Sequence, residues 1–139
     1  MTEQGTVTLR TVEGDGLRFE ASYPQGNIVM DSGPGQVAPN PVQNLLAALA
    51  ICEGMDVIHV LRKKRQQVTA YDIAMTGERA TEHPRRLTRV ELVHQFKGHD
   101  LQRAAVEEAM RLSAEKYCSV YHSLRPDLEI VSRAEITEG

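Results

Sequence analysis

The segment that begins at Asn40-Pro41 constrains this chain more than any other. Asn caps the free amides of a helix start, and Pro fits the first helical position. The pattern then predicts one helix to about Gln66, roughly 40 Å long at ~1.5 Å per residue. A helix that long in a chain of 139 residues needs apolar cover on more than one side. Leu45, Leu49, Cys52 and Val60 mark one stripe, and Leu46, Ile58 and Leu61 widen it. A two-fold interface between copies would cover the extra faces, so a homodimer is expected. Gly54 sits in the helix interior at a cost of about 1 kcal/mol against Ala. It would let another backbone approach closely beside Cys52.

Strands surround this helix. Thr6 to Arg10 alternates polar and apolar residues, and Leu17 to Tyr23 puts Phe19, Ala21 and Tyr23 on one face. Asn27 to Met30 is a short third strand, followed by a Pro- and Gly-rich loop from Asp31 to Pro41. After the long helix, Tyr71, Ile73 and Met75 alternate in one strand and Val90, Leu92, His94 and Phe96 in the next. Thr81 to Arg85 joins them as a hairpin. A second helix opens after Gly98-His99-Asp100, with Leu101, Ala105, Ala109 and Leu112 on one face and Cys118 near its end. A last strand begins at Leu128. No repeat or composition break divides the chain, so residues 1–139 read as a single domain of order βββ-α-ββ-α-β, an α+β fold.

Composition closes off several functions. The net charge is -3, which gives nucleic acid no basic face to bind. The cluster Arg62-Lys63-Lys64-Arg65 falls where a helix dipole favours cations. No uninterrupted apolar run approaches the length of a membrane span, and the first residues lack the pattern of a signal peptide. The expected address is the cytoplasm, with no membrane partner. No phosphate-binding glycine motif or nucleotide fingerprint appears, so no cofactor is expected. His59 and His122 accompany the cysteines, but not at spacings typical of zinc, and no metal is expected.

Cys52 and Cys118 are the chain's two cysteines. A thiol in an apolar helix reads first as a small hydrophobe. Two thiols in one small domain also permit a cycle in which one is oxidised and the other resolves it. The residues alone leave both readings open. Asp56 follows Cys52 by one helical turn and shares its face, whereas Glu53 points elsewhere.

The stretch Asn40-Pro41 through Leu45-Leu46-Ala47-Ala48-Leu49 to Cys52-Glu53-Gly54-Met55-Asp56-Val57 resembles the OsmC/Ohr family of osmotically inducible and organic hydroperoxide resistance proteins, in particular its YhfA-like branch. Tyr117-Cys118-Ser119-Val120 resembles that family's second cysteine motif, and Gly26 to Asp31 its strand before the loop. The resemblance implies an OsmC-like fold, with the long central helix packed on an antiparallel sheet, and an intertwined homodimer. It also implies thiol-dependent reduction of organic hydroperoxides, with Cys52 as the peroxidatic residue, Cys118 as the resolving one, and an external dithiol as reductant.

Two departures matter. Where Ohr-type members carry an acid just after Asn-Pro, this chain has Val42-Gln43. It also lacks any Arg between Phe19 and Arg62, which leaves Arg18 as the candidate cation for the thiolate, with Asp56 as a carboxylate that could orient an arginine from the partner chain. Loss of that charge network would favour the alternative: an OsmC-fold ligand-binding or redox-sensing protein with little or no turnover. Leu45, Leu49 and Met55 are the expected apolar lining of a substrate pocket.

Overall fold

The computed structural model describes residues 1–139 and divides them into two compact units, residues 1–45 and 46–139. The first unit holds β1 (Thr6–Leu9), β2 (Phe19–Tyr23) and β3 (Gly26–Met30) in one antiparallel sheet of order β1-β2-β3. Its register pairs Val7 with Ala21, Leu9 with Phe19, Ala21 with Ile28 and Phe19 with Met30. Directly paired residues share a face, so these side chains and Tyr23 form one apolar surface. Val7, Leu9, Phe19, Tyr23 and Ile28 on that surface are all exposed. The loop after β3 is tied by Asp31, whose buried carboxylate accepts from the Gly33 and Val37 amides at 3.3 and 3.2 Å.

Helix α1 (Pro41–Lys63) opens in this unit and runs mainly through the second. Its start is a reciprocal capping box: the Asn40 side chain accepts from the Gln43 amide and the Gln43 side chain from the Asn40 amide, both at 2.8 Å. Gln43 therefore has a structural task at a position the sequence reading noted only for its missing acid. The helix ends near Lys63, three residues short of expectation, where Arg65 takes a left-handed conformation at φ 57°.

The second unit contains β4 (Gln67–Arg79), β5 (Leu87–His99) and β6 (Glu129–Glu138) in sheet order β4-β5-β6. The expected antiparallel sheet is mixed: β4 and β5 form the antiparallel hairpin, but β6 runs parallel to β5. The cause is the connection. A parallel neighbour needs a crossover, and here it is α2 (Arg103–Leu112), a π-helical turn (Ser113–Tyr117) and α3 (Ser119–Ser123).

One face of β5 is sealed by alternation: Val90, Leu92, His94 and Phe96 are all buried. Val57 and Leu61 of α1 pack with Phe96 and with Val106, Ala109 and Met110 of α2. Leu49 and Ala50 of α1 pack with Val90, Leu92 and Cys118. The buried stripe of α1 is thus Leu49, Ala50, Glu53, Gly54, Val57 and Leu61, rotated from the expected one; Leu45 is exposed and Cys52 only half-buried. By length and composition α1 is apolar enough to cross a membrane, which the search for an uninterrupted apolar run did not anticipate. Its packing on β5 and α2 makes it the core helix of the second unit. Gly54 is needed for side chains rather than for a second backbone. A Cβ there would lie 2.9 Å from Ile73 Cδ1 and 3.6 Å from the Tyr71 hydroxyl.

Candidate functional site

Cys52 and Asp56 stand one turn apart on α1, as the helical period requires. Cys118 reaches them by a local irregularity. The π-helical turn closes with the Cys118 amide donating to the Ser113 carbonyl at 2.8 Å, and Cys118 itself is extended at φ -73°, ψ 103°. It is therefore not near the end of a continuing helix, as the sequence suggested, but in the break between two helices. There its Sγ caps α3 by accepting from the Tyr121 amide at 3.3 Å. Wide turns of this kind interrupt α-helices frequently at functional sites. The same turn orients the acid: the buried Ser113 hydroxyl donates to Asp56 Oδ2 at 2.8 Å.

The result is a compact triad. The Cys52 and Cys118 sulfurs and an Asp56 carboxylate oxygen all lie within 4.8 Å of one another. Both cysteines are free thiols. Their surroundings differ, with Cys52 half-buried and Cys118 fully buried. Burial pushes the Cys118 thiol up to about 12; the Tyr121 amide pulls the other way, while Cys52 and Asp56 add to the rise. Cys118 thus holds its proton until a reaction removes it. Two thiolates and one carboxylate are also a donor set that suits a soft or borderline cation such as zinc. No other cluster of three such ligands exists in the chain, and neither His59 nor His122 belongs to it.

A cavity of ≈ 480 Å³ adjoins the triad through Asp56, and His59, Val60, Lys63, Leu112 and Tyr117 are among its walls. None of the residues expected as apolar lining is among the walls of this cavity. Leu49 is core, while Leu45 and Met55 are exposed. Arg18 lies in the first unit, just before β2, where its amide donates to Thr11 Oγ1 at 3.0 Å. Neither Arg18 nor Asp56 forms an ion pair within the chain.

Sequence reasoning missed a second polar cluster on the same helix. Glu53 does not point to solvent: it is fully buried, and its Oε1 lies 2.9 Å from His94 Nε2 and accepts from the Ser132 hydroxyl at 2.9 Å. His94, also fully buried, meets the Tyr71 hydroxyl through Nδ1 at 2.6 Å. Tyr71 stacks on Phe96 with ring centroids 4.5 Å apart. Burial, and then the Glu53 charge, raise the Tyr71 hydroxyl above its ordinary range, so it stays protonated. With Glu53 ionised, Nε2 must be the donor; a neutral imidazole then accepts from Tyr71 at Nδ1. Glu53 Oε2 has no partner. The signal was present in the sequence, since His94 alternates with apolar strand residues and Glu53 is four residues from both Leu49 and Val57.

A family model described as OsmC-like protein matches residues 33–132. Protein YhfA of Escherichia coli strain K12 is 39% identical over 123 residues, covering 88% of this chain and 92% of that protein. The crystal structure of a hypothetical protein from Aquifex aeolicus VF5 superposes with a TM-score of 0.83 at 30% identity, covering 99% of both chains. The organic hydroperoxide resistance protein OhrB of Bacillus subtilis shares the fold, with a TM-score of 0.66 at 18% identity, over 96% of this chain and 98% of that one.

Proposed function

This chain belongs to the OsmC family, and from that premise we propose that it is a cytoplasmic thiol-dependent peroxidase acting on organic hydroperoxides. The observation that carries the reading is the approach of Cys52 and Cys118, distant in sequence, to within 4.8 Å with unequal exposure. Half-buried Cys52 is the attacking residue, and sealed Cys118 the resolving one.

The Cys52 thiolate attacks one peroxide oxygen and the O–O bond breaks. The alkoxide leaves, takes up a proton as an alcohol, and Cys52 becomes a sulfenic acid. The Cys118 sulfur then attacks the Cys52 sulfur. Its proton passes, by way of the Asp56 carboxylate beside it, to the departing hydroxide, which leaves as water. An external dithiol reduces the resulting disulfide to two thiols and is itself oxidised to a disulfide.

Assembly as a homodimer is part of this reading. The exposed apolar face of β1-β2-β3, together with exposed Ile51 and Met55 on α1, supports a second copy as the cover. A redox-sensing role is favoured by one observation: no Arg or Lys of this chain forms an ion pair with Asp56, whose carboxylate accepts from Ser113 instead. A steady-state assay with tert-butyl hydroperoxide and a dithiol separates the two. Many turnovers per chain, abolished by Cys52→Ser, support the peroxidase; one equivalent consumed per chain, followed by arrest in the presence of reductant, overturns it in favour of the sensor.

A further inference from the structure

The buried cluster around Glu53 lies between two apolar ones. Along α1, Leu49 and Ala50 belong to the cluster that contains Cys118, and Val57 and Leu61 to the cluster that contains Phe96. Glu53 stands between them. Along β5 the order is the same: Val90 and Leu92, then His94, then Phe96. The helix and the strand therefore each carry one polar residue at the same level, and the two meet at 2.9 Å. Ser132 completes the level from β6.

Apolar contacts, the Gly54–Ile73 approach among them, hold the helix by shape; a polar level adds a chemical constraint. That level does not tolerate a slip. Moving α1 along the sheet by one turn, ~5.4 Å, drives a carboxylate into an apolar cluster and leaves His94 without its partner. Glu53 Oε2 finds no hydrogen-bond partner among the chain's own groups. Buried polar groups retained at a cost in stability are best attested as devices that specify register. Cys52 is the residue next to Glu53, and Cys118 packs in the cluster immediately beside that level. We propose that the Glu53–His94–Ser132 contact is a register key that holds α1 on the sheet with Cys52 facing Cys118, which makes Glu53 and His94 positioning residues for the thiol pair. This rests on the reading that the two thiols act together, but not on peroxide being their oxidant.

The test is the effective concentration of the two thiols toward each other, measured on the purified full chain in glutathione redox buffers with mass-spectrometric quenching. In that equilibrium two protein thiols are oxidised to one disulfide. One glutathione disulfide is reduced to two glutathione thiols, which take up the two protons. Glu53→Met with His94→Leu replaces the polar level by apolar side chains, while the Tyr71 hydroxyl loses its partner at His94 Nδ1. This double variant is expected to melt cooperatively, yet to lose about tenfold or more in effective concentration, as small misplacements of reacting groups do. Glu53→Gln keeps an oxygen for His94 and Ser132 and is expected to retain the wild-type value. A folded double variant with unchanged effective concentration overturns the proposal. If the double variant does not fold, Ser132→Ala, nearly isosteric, is expected to lower the value about threefold by removing one of the contacts; an unchanged value there overturns the proposal equally. No hydroperoxide enters the measurement, so absence of peroxidase turnover and failure of the register key are separate results.

Discussion

Cys52 and Glu53 are neighbours in the chain and belong to opposite kinds of site. One turns toward a half-open triad with Asp56 and Cys118; the other is sealed among His94, Ser132 and, through His94, Tyr71. The step of 100° between successive helical residues is what separates them. A single helix thus delivers a thiol to a half-open edge and a carboxylate to the core. The lesson is that one helical step can place neighbouring polar side chains in surroundings of opposite accessibility.

The sharpest way to break this comparison is Cys52→Ser. Peroxide turnover should fall to background, while stability drops by no more than about 1 kcal/mol, since Cys52 is only half-buried against the Leu49 cluster. Residual turnover would move the reactive role elsewhere. Glu53→Ala should do the opposite to stability. Leaving the buried His94 donor without its acceptor costs about 1–3 kcal/mol, read as the shift in the urea unfolding midpoint. A loss below about 1 kcal/mol would mean that the sealed cluster carries no more than an ordinary hydrogen bond.

Alkaline pH offers a third probe. Burial raises the Cys118 thiol from its ordinary 9.0 to about 12. Between those values the unfolded chain has released the proton that the folded chain still holds, so stability falls as pH rises through this window. The contribution is complete below pH 9.0 and gone above about 12. Tyr71, also raised by burial, adds to the decline from its ordinary 10.0 upward. Cys118→Ala should flatten the part of the slope that begins near 9.0, leaving the Tyr71 part. An unaltered slope would place the thiol in a more open site than the structure gives it.

Smaller effects sharpen the boundary between the two clusters. Asp56→Asn removes a negative charge that helps to hold the Cys118 thiol up. Alkylation of Cys118 in a Cys52→Ser background should then begin at lower pH, and resolution of the sulfenic acid should slow for want of a proton carrier. Tyr71→Phe should cost about 1 kcal/mol, the worth of one hydrogen bond to His94, and leave the thiol chemistry unchanged.

Much of this was legible in the sequence. Asn40-Pro41 marked the start of α1, and the strand alternation around Val90 to Phe96 marked β5, because caps and period-2 burial are local signals. The Cys52–Asp56 proximity followed from the turn of the helix. The approach of Cys118 was implied only by resemblance, since it depends on a π-helical turn that no propensity announces. The parallel seat of β6 was likewise invisible, because strand direction is set by the crossover and not by the strand's own residues. Glu53 was read only as pointing away from Cys52, and its buried partners went unseen for a different reason. A carboxylate at an apolar position is ordinarily solvated, and only its partners on β5 and β6, remote in sequence, reverse that expectation.

The π-helical turn before Cys118 makes this stretch a matter of length rather than composition. Glu115 and Lys116 face solvent and can be exchanged freely, but the number of residues from Ser113 to Cys118 cannot change by even one. Losing one would restore the ordinary helical count and swing the sulfur about 100° around the axis, away from Cys52 and Asp56. The segment is thus a spacer of fixed count, tolerant of exchange at Glu115 and Lys116 and intolerant of insertion or deletion.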